Sequence, residues 1–378
     1  MTSEQLRRFV PGRDRPLGAA APGTPRSHGR RARAAAIAGT ALLALAGTQP
    51  VQARGRCTAG DCQSGTGRVE LPGGLVYEGA FRDGRAHGVG TLLFPDGGRY
   101  HGDVRDDHAH GRGVRLFGDP ARGAIDRYEG SFVWNARTGA GAYAWANGGR
   151  YEGEWKDDEP SGQGRKTWRE GHRYQGSFRD GKRHGLGTFV DAEGGVYAGA
   201  WRDGRRHGHG MQIQASGDRY EGSWRDGEAT GRGELVWRTG TRYVGEVRDG
   251  RPHGRGEQTW PDGRQYVGEW KNGVPHGDGV QTWPDGGRYA GPYREGREHG
   301  HGERTWANGD RYEGEWRDGL REGEGTYVWS SGARYTGGFR ADRMHGAGVL
   351  LDTSKIERRG NWKDGRMVEE TAPARRAP

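Results

Sequence analysis

Tyrosine recurs at positions 77, 100, 128, 151, 174, 197, 220, 243, 266, 289, 312 and 335, and every step is 23 residues long except one of 28. A period of this length belongs to a repeat array, in which one unit is too small to bury its own apolar face and must stack on its neighbours. Twelve units of one kind fill most of the chain. Such a chain displays a long surface in place of one enclosed pocket.

Within the unit, glycine marks the places where a side chain would be in the way. Gly153, Gly268 and Gly314 stand two residues after their tyrosines, where close approach of a ring from the adjacent hairpin is expected. A Gly-x-Gly pair, such as Gly162 and Gly164 or Gly277 and Gly279, follows in every unit. Tyr151, Gly153 and Trp155 alternate with period two, as do Tyr266, Gly268 and Trp270, and Tyr312, Gly314 and Trp316, so each trio shares one face of a strand. Arg225-Asp226-Gly227 and its relatives supply hairpin turn chemistry. A second short strand then carries Trp168, Trp283 or an equivalent, and closes in a turn such as Pro284-Asp285-Gly286-Gly287. The reading is all-β: an elongated antiparallel sheet of tandem 23-residue β-hairpins, about 120 Å long at two strands per unit.

Tyr312 to Gly332 reads YEGEWRDGLREGEGTYVWSSG. This resembles the MORN repeat, whose unit runs approximately YEGEWxxGxxHGxGxxxWxxG, with Glu322 in the usual histidine position. The resemblance covers residues 65 to about 365. It implies a fold and no reaction. Some members of the family carry the array beside a catalytic domain, including plant lipid kinases and a histone methyltransferase. Here only a degenerate unit, with Gly360 and Trp362 in register but Arg358 where tyrosine belongs, and a polar tail follow the last full repeat. A kinase role is therefore not expected, and neither is any cofactor.

Residues 1–53 carry eight arginines against Glu4 and Asp14, followed by the apolar run Ala34 to Gly47 and the small residues of Val51-Gln52-Ala53. That is the pattern of a secretory signal peptide, cleaved after Ala53. The run is short for a membrane span of about 20 residues, and an uncleaved N-terminal anchor is the alternative. The expected location is periplasmic or secreted. In an exported chain, Cys57 and Cys62, the only cysteines, close a small disulfide loop. Gly65 and Gly67 repeat the glycine phase of a unit, so 54–76 reads as that loop plus an N-terminal half-repeat. Residues 77–357 hold the twelve repeats, and 358–378 a degenerate capping half-repeat and tail.

The chain carries a net charge of +9, much of it in the leader, and the remainder is close to balanced. Nucleic-acid binding calls for a concentrated basic stripe and is not expected. Eight units place a histidine before Gly-x-Gly, His253, His276 and His299 in succession. Equivalent atoms one unit apart lie roughly 9 to 10 Å from each other, whereas metal ligands sit about 2 Å from their ion. A hairpin-loop role is expected instead, with only His207 and His209, or His299 and His301, close enough for weak metal binding. The aromatic columns read as core, since no other apolar supply matches the period. Asp191 and Gln214 interrupt the second tryptophan column, where a bend or local repacking through Phe189 and Ile213 is expected. The extra residues around Gly118 to Asp126 enlarge one loop.

These features point to a non-enzymatic exported scaffold acting on a protein partner or on itself. A membrane-associated binder of lipid headgroups or glycans in the cell envelope, and an enzyme accessory subunit, stay open as alternatives.

Overall fold

The computed structural model describes residues 55–371. The expected signal peptide with its cleavage point, and the end of the polar tail, lie outside these residues. What is described is one antiparallel sheet of 29 strands. The chain runs as a meander, Arg150–Lys156 pairing with Glu159–Thr167, that strand with Arg173–Arg179, and so onward, with Arg297–Glu298 and Gly300–Thr305 both paired to Arg288–Arg294 as two pieces of one return strand. Among the described residues no helix is long and apolar enough to cross a membrane.

The unit from Tyr266 shows why the sequence folds this way. Gln265–Lys271 places Tyr266 and Trp270 on one face, and Asn272 and Gly273, at φ 53° and 90°, reverse the chain. Two consecutive positive φ values match the right-handed twist of the flanking strands, which is why Asp or Asn followed by Gly recurs here. The return strand Val274–Thr282 pairs Gly279 with Gly268 and Gln281 with Tyr266. It then pairs Gly277 with Tyr293 of the next unit. Gly277, at φ +56°, sits in the irregular part of the ladder where the register shifts. A left-handed extra residue of this kind is a bulge, and glycine enters it without steric cost.

The core is a zipper of rings. Tyr151, Tyr266 and Tyr312 are fully buried, and Trp155, Trp270 and Trp316 are 4% exposed. Trp270 meets its own Tyr266 edge to face at 5.1 Å and the preceding unit's Tyr243 at 5.2 Å. Its indole N–H donates to the carbonyl of Gly256 at 3.2 Å, as Trp155 does to Gly141 and Trp316 to Gly302. Each tryptophan thus fastens two units, by ring contact and by a hydrogen bond that satisfies its one polar atom.

The close approach at the glycines differs from the expectation. The ring lying over Gly268 and Gly279 belongs to Tyr266 of the same unit, not to an adjacent hairpin. The phenol crosses its own strand pair so that its O–H reaches the carbonyl of Glu269 at 3.0 Å. Tyr151 and Tyr312 donate likewise to Glu154 and Glu315. Gly153 and Gly164, and Gly314 with its partner Gly325, make the same room for their tyrosines.

At the start of the array, Arg56–Gly60 pairs with Thr66–Glu70 and a Cys57–Cys62 disulfide spans the turn. Thr66–Glu70 then pairs with Val76–Arg82, setting Gly67 opposite Gly79.

Candidate interaction surface

Two aromatic columns with different exposure share the ring-bearing face. The tyrosines and first tryptophans are enclosed, whereas Trp168, Trp237, Trp260, Trp283, Trp306 and Trp329 are half-buried and pack against that core from outside. They also sit one residue beyond the strand that was expected to carry them: Glu159–Thr167 ends before Trp168, and Val274–Thr282 before Trp283. Trp283 opens the tight turn, its N–H donating to Gly287 and its carbonyl accepting from Gly286. The first column is buried and the second only partly so. Alternation within strands showed the shared face but not how much covers it.

Cations lie on rings of both columns. The Lys166 amine sits 4.7 Å from the ring centre of Trp145 and 5.1 Å from that of Trp168. Arg304 stands between Trp283 and Trp306 at 4.5 and 5.4 Å. Arg183 covers Trp201 at 4.0 Å and Arg206 covers Trp224 at 4.3 Å. Such contacts hold a cation over the negative face of the ring while its polar end stays near water.

Contacts between units concentrate along the turn edge. The second turn residue donates its N–H to the preceding unit: Gly204 to Arg183, Gly227 to Arg206, Asp342 to Arg321. Where that residue is aspartate, its carboxylate also binds back, Asp158 accepting from the N–H of Arg137 and Asp342 from that of Arg321, each at 3.0 Å.

The recurrent histidines are placed differently from the hairpin-loop expectation. His87, His184, His207, His253 and His276 lie within return strands, directly before the bulge glycine. Nδ1 of His184, His207 and His299 accepts the N–H of Asp203, Asp226 and Asp318 in the next unit's turn, at 3.4, 3.4 and 3.5 Å. Glu322 does the same for Ala341 at 3.0 Å. Nε2 of His209 stands 3.9 Å from a carboxylate oxygen of Glu221. Among the described residues no three His, Cys, Asp or Glu side chains are grouped to hold a metal ion.

Both irregular places keep their register. The enlarged loop forms a short 3-10 turn, Pro120–Arg122, capped by Asp119, and Phe117 still pairs with Asp126. Asp126 ties the loop to the next unit by accepting from the Tyr143 hydroxyl at 2.6 Å and the Ala146 N–H at 2.8 Å. At the interrupted column, Lys182–Val190 pairs continuously with Val196–Arg202. The Asp191 carboxylate closes its own turn on Gly195 at 2.6 Å. Phe189 fills in against Trp168, His172 and Trp201, while Ile213 stays 38% exposed and takes no part in the repacking.

Burial pushes the phenols of Tyr77, Tyr128, Tyr197, Tyr220 and Tyr243 up from 10.0 to about 12. These are core groups held neutral, not an acid and base facing a cleft.

A tandem β-hairpin array with one aromatic face, its units bonded in series, is the class of protein that this geometry defines. The MORN repeat model matches residues 77–99, 100–119, 128–150, 151–173, 174–196, 197–219, 220–242, 243–263, 266–288, 289–311, 312–334 and 335–354. The chain belongs to the MORN-repeat family. No curated protein matches it. Among solved structures, it is similar to the TCP domain of Drosophila melanogaster SAS-4 (dCPAP) in complex with a proline-rich motif of Ana2. That match has 15% identity over 41% of this chain and 84% of that one, at a TM-score of 0.27. The TCP10 domain of Danio rerio CPAP in complex with a STIL peptide follows at 13% identity, over 57% and 96%, with a TM-score of 0.21. A streptogramin B lyase matches at 11% identity over 74% and 92%, with a TM-score of 0.13. Scores this low bear on neither activity nor partner.

Proposed function

We propose that this chain is a non-enzymatic scaffold, exported to the periplasm or beyond, that offers its repeat surface to protein partners or to a second copy of itself. The observation that carries the reading is the half-buried outer tryptophan column, which runs along an open face with cations on its rings. Tryptophan and arginine in such settings are the residue types that anchor interfaces. The same column is the feature that favours a glycan or lipid-headgroup binder as the second reading.

Light scattering on residues 54–378, repeated with the segment from Ala333 removed, tests self-association, and capture from envelope extracts tests for another partner. The expected result is a dimer that the truncation weakens, since twofold closure is the commonest pairing, or saturable capture of a protein. A chain that stays monomeric at high concentration and captures nothing refutes the reading.

A further inference from the structure

Partly buried cations on the ring-bearing face are neutralised in some units and not in others. Arg137 and Arg321 occupy equivalent positions, and each binds an aspartate of the next unit's turn: Asp158 at 2.9 Å and Asp342 at 3.0 Å. Arg304 is matched by Glu298, also at 3.0 Å. Arg183 and Arg206 stand at the position of Arg137, but there the next turn presents Gly204 and Gly227. Arg183 has only the carbonyl of Gly204, at 2.9 Å, and Arg206 only the side-chain carbonyl of Gln212, at 2.7 Å. Lys166 lies in the preceding hairpin, between two rings. Among the described residues, no carboxylate oxygen comes within the 4.0 Å ion-pair distance of any of the three.

The three sit on successive return strands, Glu159–Thr167, Lys182–Val190 and Arg205–Ile213. Lys166 stands six residues beyond the position equivalent to Arg183, but the guanidinium groups of Arg183 and Arg206 reach Phe189 and Gln212, the residues equivalent to Lys166, and equivalent positions on such strands are roughly 9 to 10 Å apart. Burial lowers the pKa of Lys166, and Arg183 lowers it further; burial also lowers that of Arg183, with Tyr174 opposing and Arg206 adding to the shift. This is a desolvated row of like charge, which is costly without a counter-ion. It also falls where Asp191 and Gln214 replace the outer tryptophans.

We propose that Lys166, Arg183 and Arg206 form a docking strip for an acidic polypeptide segment, lying extended across the strands. Successive residues of an extended chain advance about 3.3 Å, so a carboxylate on every third residue meets the spacing of the row. A sugar polymer fits less well, because Lys166 already covers Trp145 and Trp168, and Trp201 and Trp224 are buried. Residues 1–53 are arginine-rich and residues 372–378 hold two arginines and no acid, so neither segment has the acidic character the strip calls for. The proposal deepens the scaffold reading and rests on it.

The test is fluorescence anisotropy of a labelled oligoglutamate peptide with the full chain. Wild type is compared with the triple variant Lys166→Gln, Arg183→Gln, Arg206→Gln, with Arg183→Lys, and with Arg255→Gln on the opposite face. A charged hydrogen bond is worth about tenfold in affinity, so the triple variant should bind at least about tenfold more weakly. Arg183→Lys and Arg255→Gln should stay near wild type. Carbodiimide coupling of the bound peptide, mapped by mass spectrometry, should mark the Lys166 amine, a readout that does not depend on the triple variant folding. Wild type that ignores the peptide, a folded triple variant that binds it normally, or coupling only elsewhere overturns the proposal. So does binding to phosphatidylserine vesicles without binding to the peptide. If the triple variant still captures a partner protein undiminished, the strip is refuted while the scaffold stands.

Discussion

Gly256→Ala isolates the contact on which every unit depends. A methyl group added at Gly256 would lie closer than 3.0 Å to the hydroxyl and two ring carbons of Tyr243. The phenol cannot move aside without giving up its 2.7 Å hydrogen bond to the Glu246 carbonyl and its edge-to-face contact with Trp270. Overpacking costs about 1 to 3 kcal/mol, and a buried hydroxyl left without its partner about as much again, so the local loss should be near 4 kcal/mol. Gly250→Ala is the control: Gly250 has a positive φ, +72°, which Gly256 lacks, and an added methyl there meets nothing within 4 Å. Its cost should be only the left-handed strain, about 1 to 2 kcal/mol. A repeat array does not unfold as one unit, so the assay is residue-resolved hydrogen exchange, not a melting temperature. Amides of Arg242–Arg248 and Arg251–Thr259 should exchange about 1000-fold faster in Gly256→Ala, with distant units unchanged. Tyr243→Ala should cost less in the Gly256→Ala background than alone, because the clash is then already relieved. Equal effects from Gly256→Ala and Gly250→Ala would refute the reasoning.

Trp270→Ala should destabilise its two neighbouring units by roughly 3 to 5 kcal/mol, again seen by local exchange; a variant as stable as wild type that had lost a ligand would mean the ring binds and does not support. Raising the pH should unfold the array. The buried phenols prefer to be neutral, so their contribution is complete below the unfolded value of 10.0 and is lost as pH climbs through about 12. Tyrosinate absorbance and circular dichroism should change together there, and a sheet intact with its tyrosines ionised would contradict the burial.

The phase of the array was legible because its signals are local. Alternation set Tyr266, Gly268 and Trp270 on one face, and Asn272-Gly273 set the turn, without knowledge of any neighbour. What could not be read depends on register across units. Whether Gly279 accommodates its own tyrosine or a neighbour's follows from which way the ring of Tyr266 leans. The half-exposure of Trp283 follows from its place past the strand end. Arg183 and Arg137 look alike in sequence, and only the turn one unit on, Gly204 or Asp158, separates an unpaired cation from a paired one. A comparison of residues 21 apart would have shown that difference, once the register was known.

Glu322 stands where most units have histidine, yet both side chains receive the same backbone N–H from the unit that follows. At His184, His207, His299 and Glu322 the letter therefore encodes a lone pair at a given reach, whereas Nδ1 of His87, His110, His253 and His345 takes no hydrogen-bond partner among the described residues. Scored as amino-acid types, histidine and glutamate count as a poor match; scored as acceptors, they are synonyms. A repeat that looks divergent by spelling can be faithful in meaning, whereas lysine there, with donors and no acceptor, would be a true misspelling.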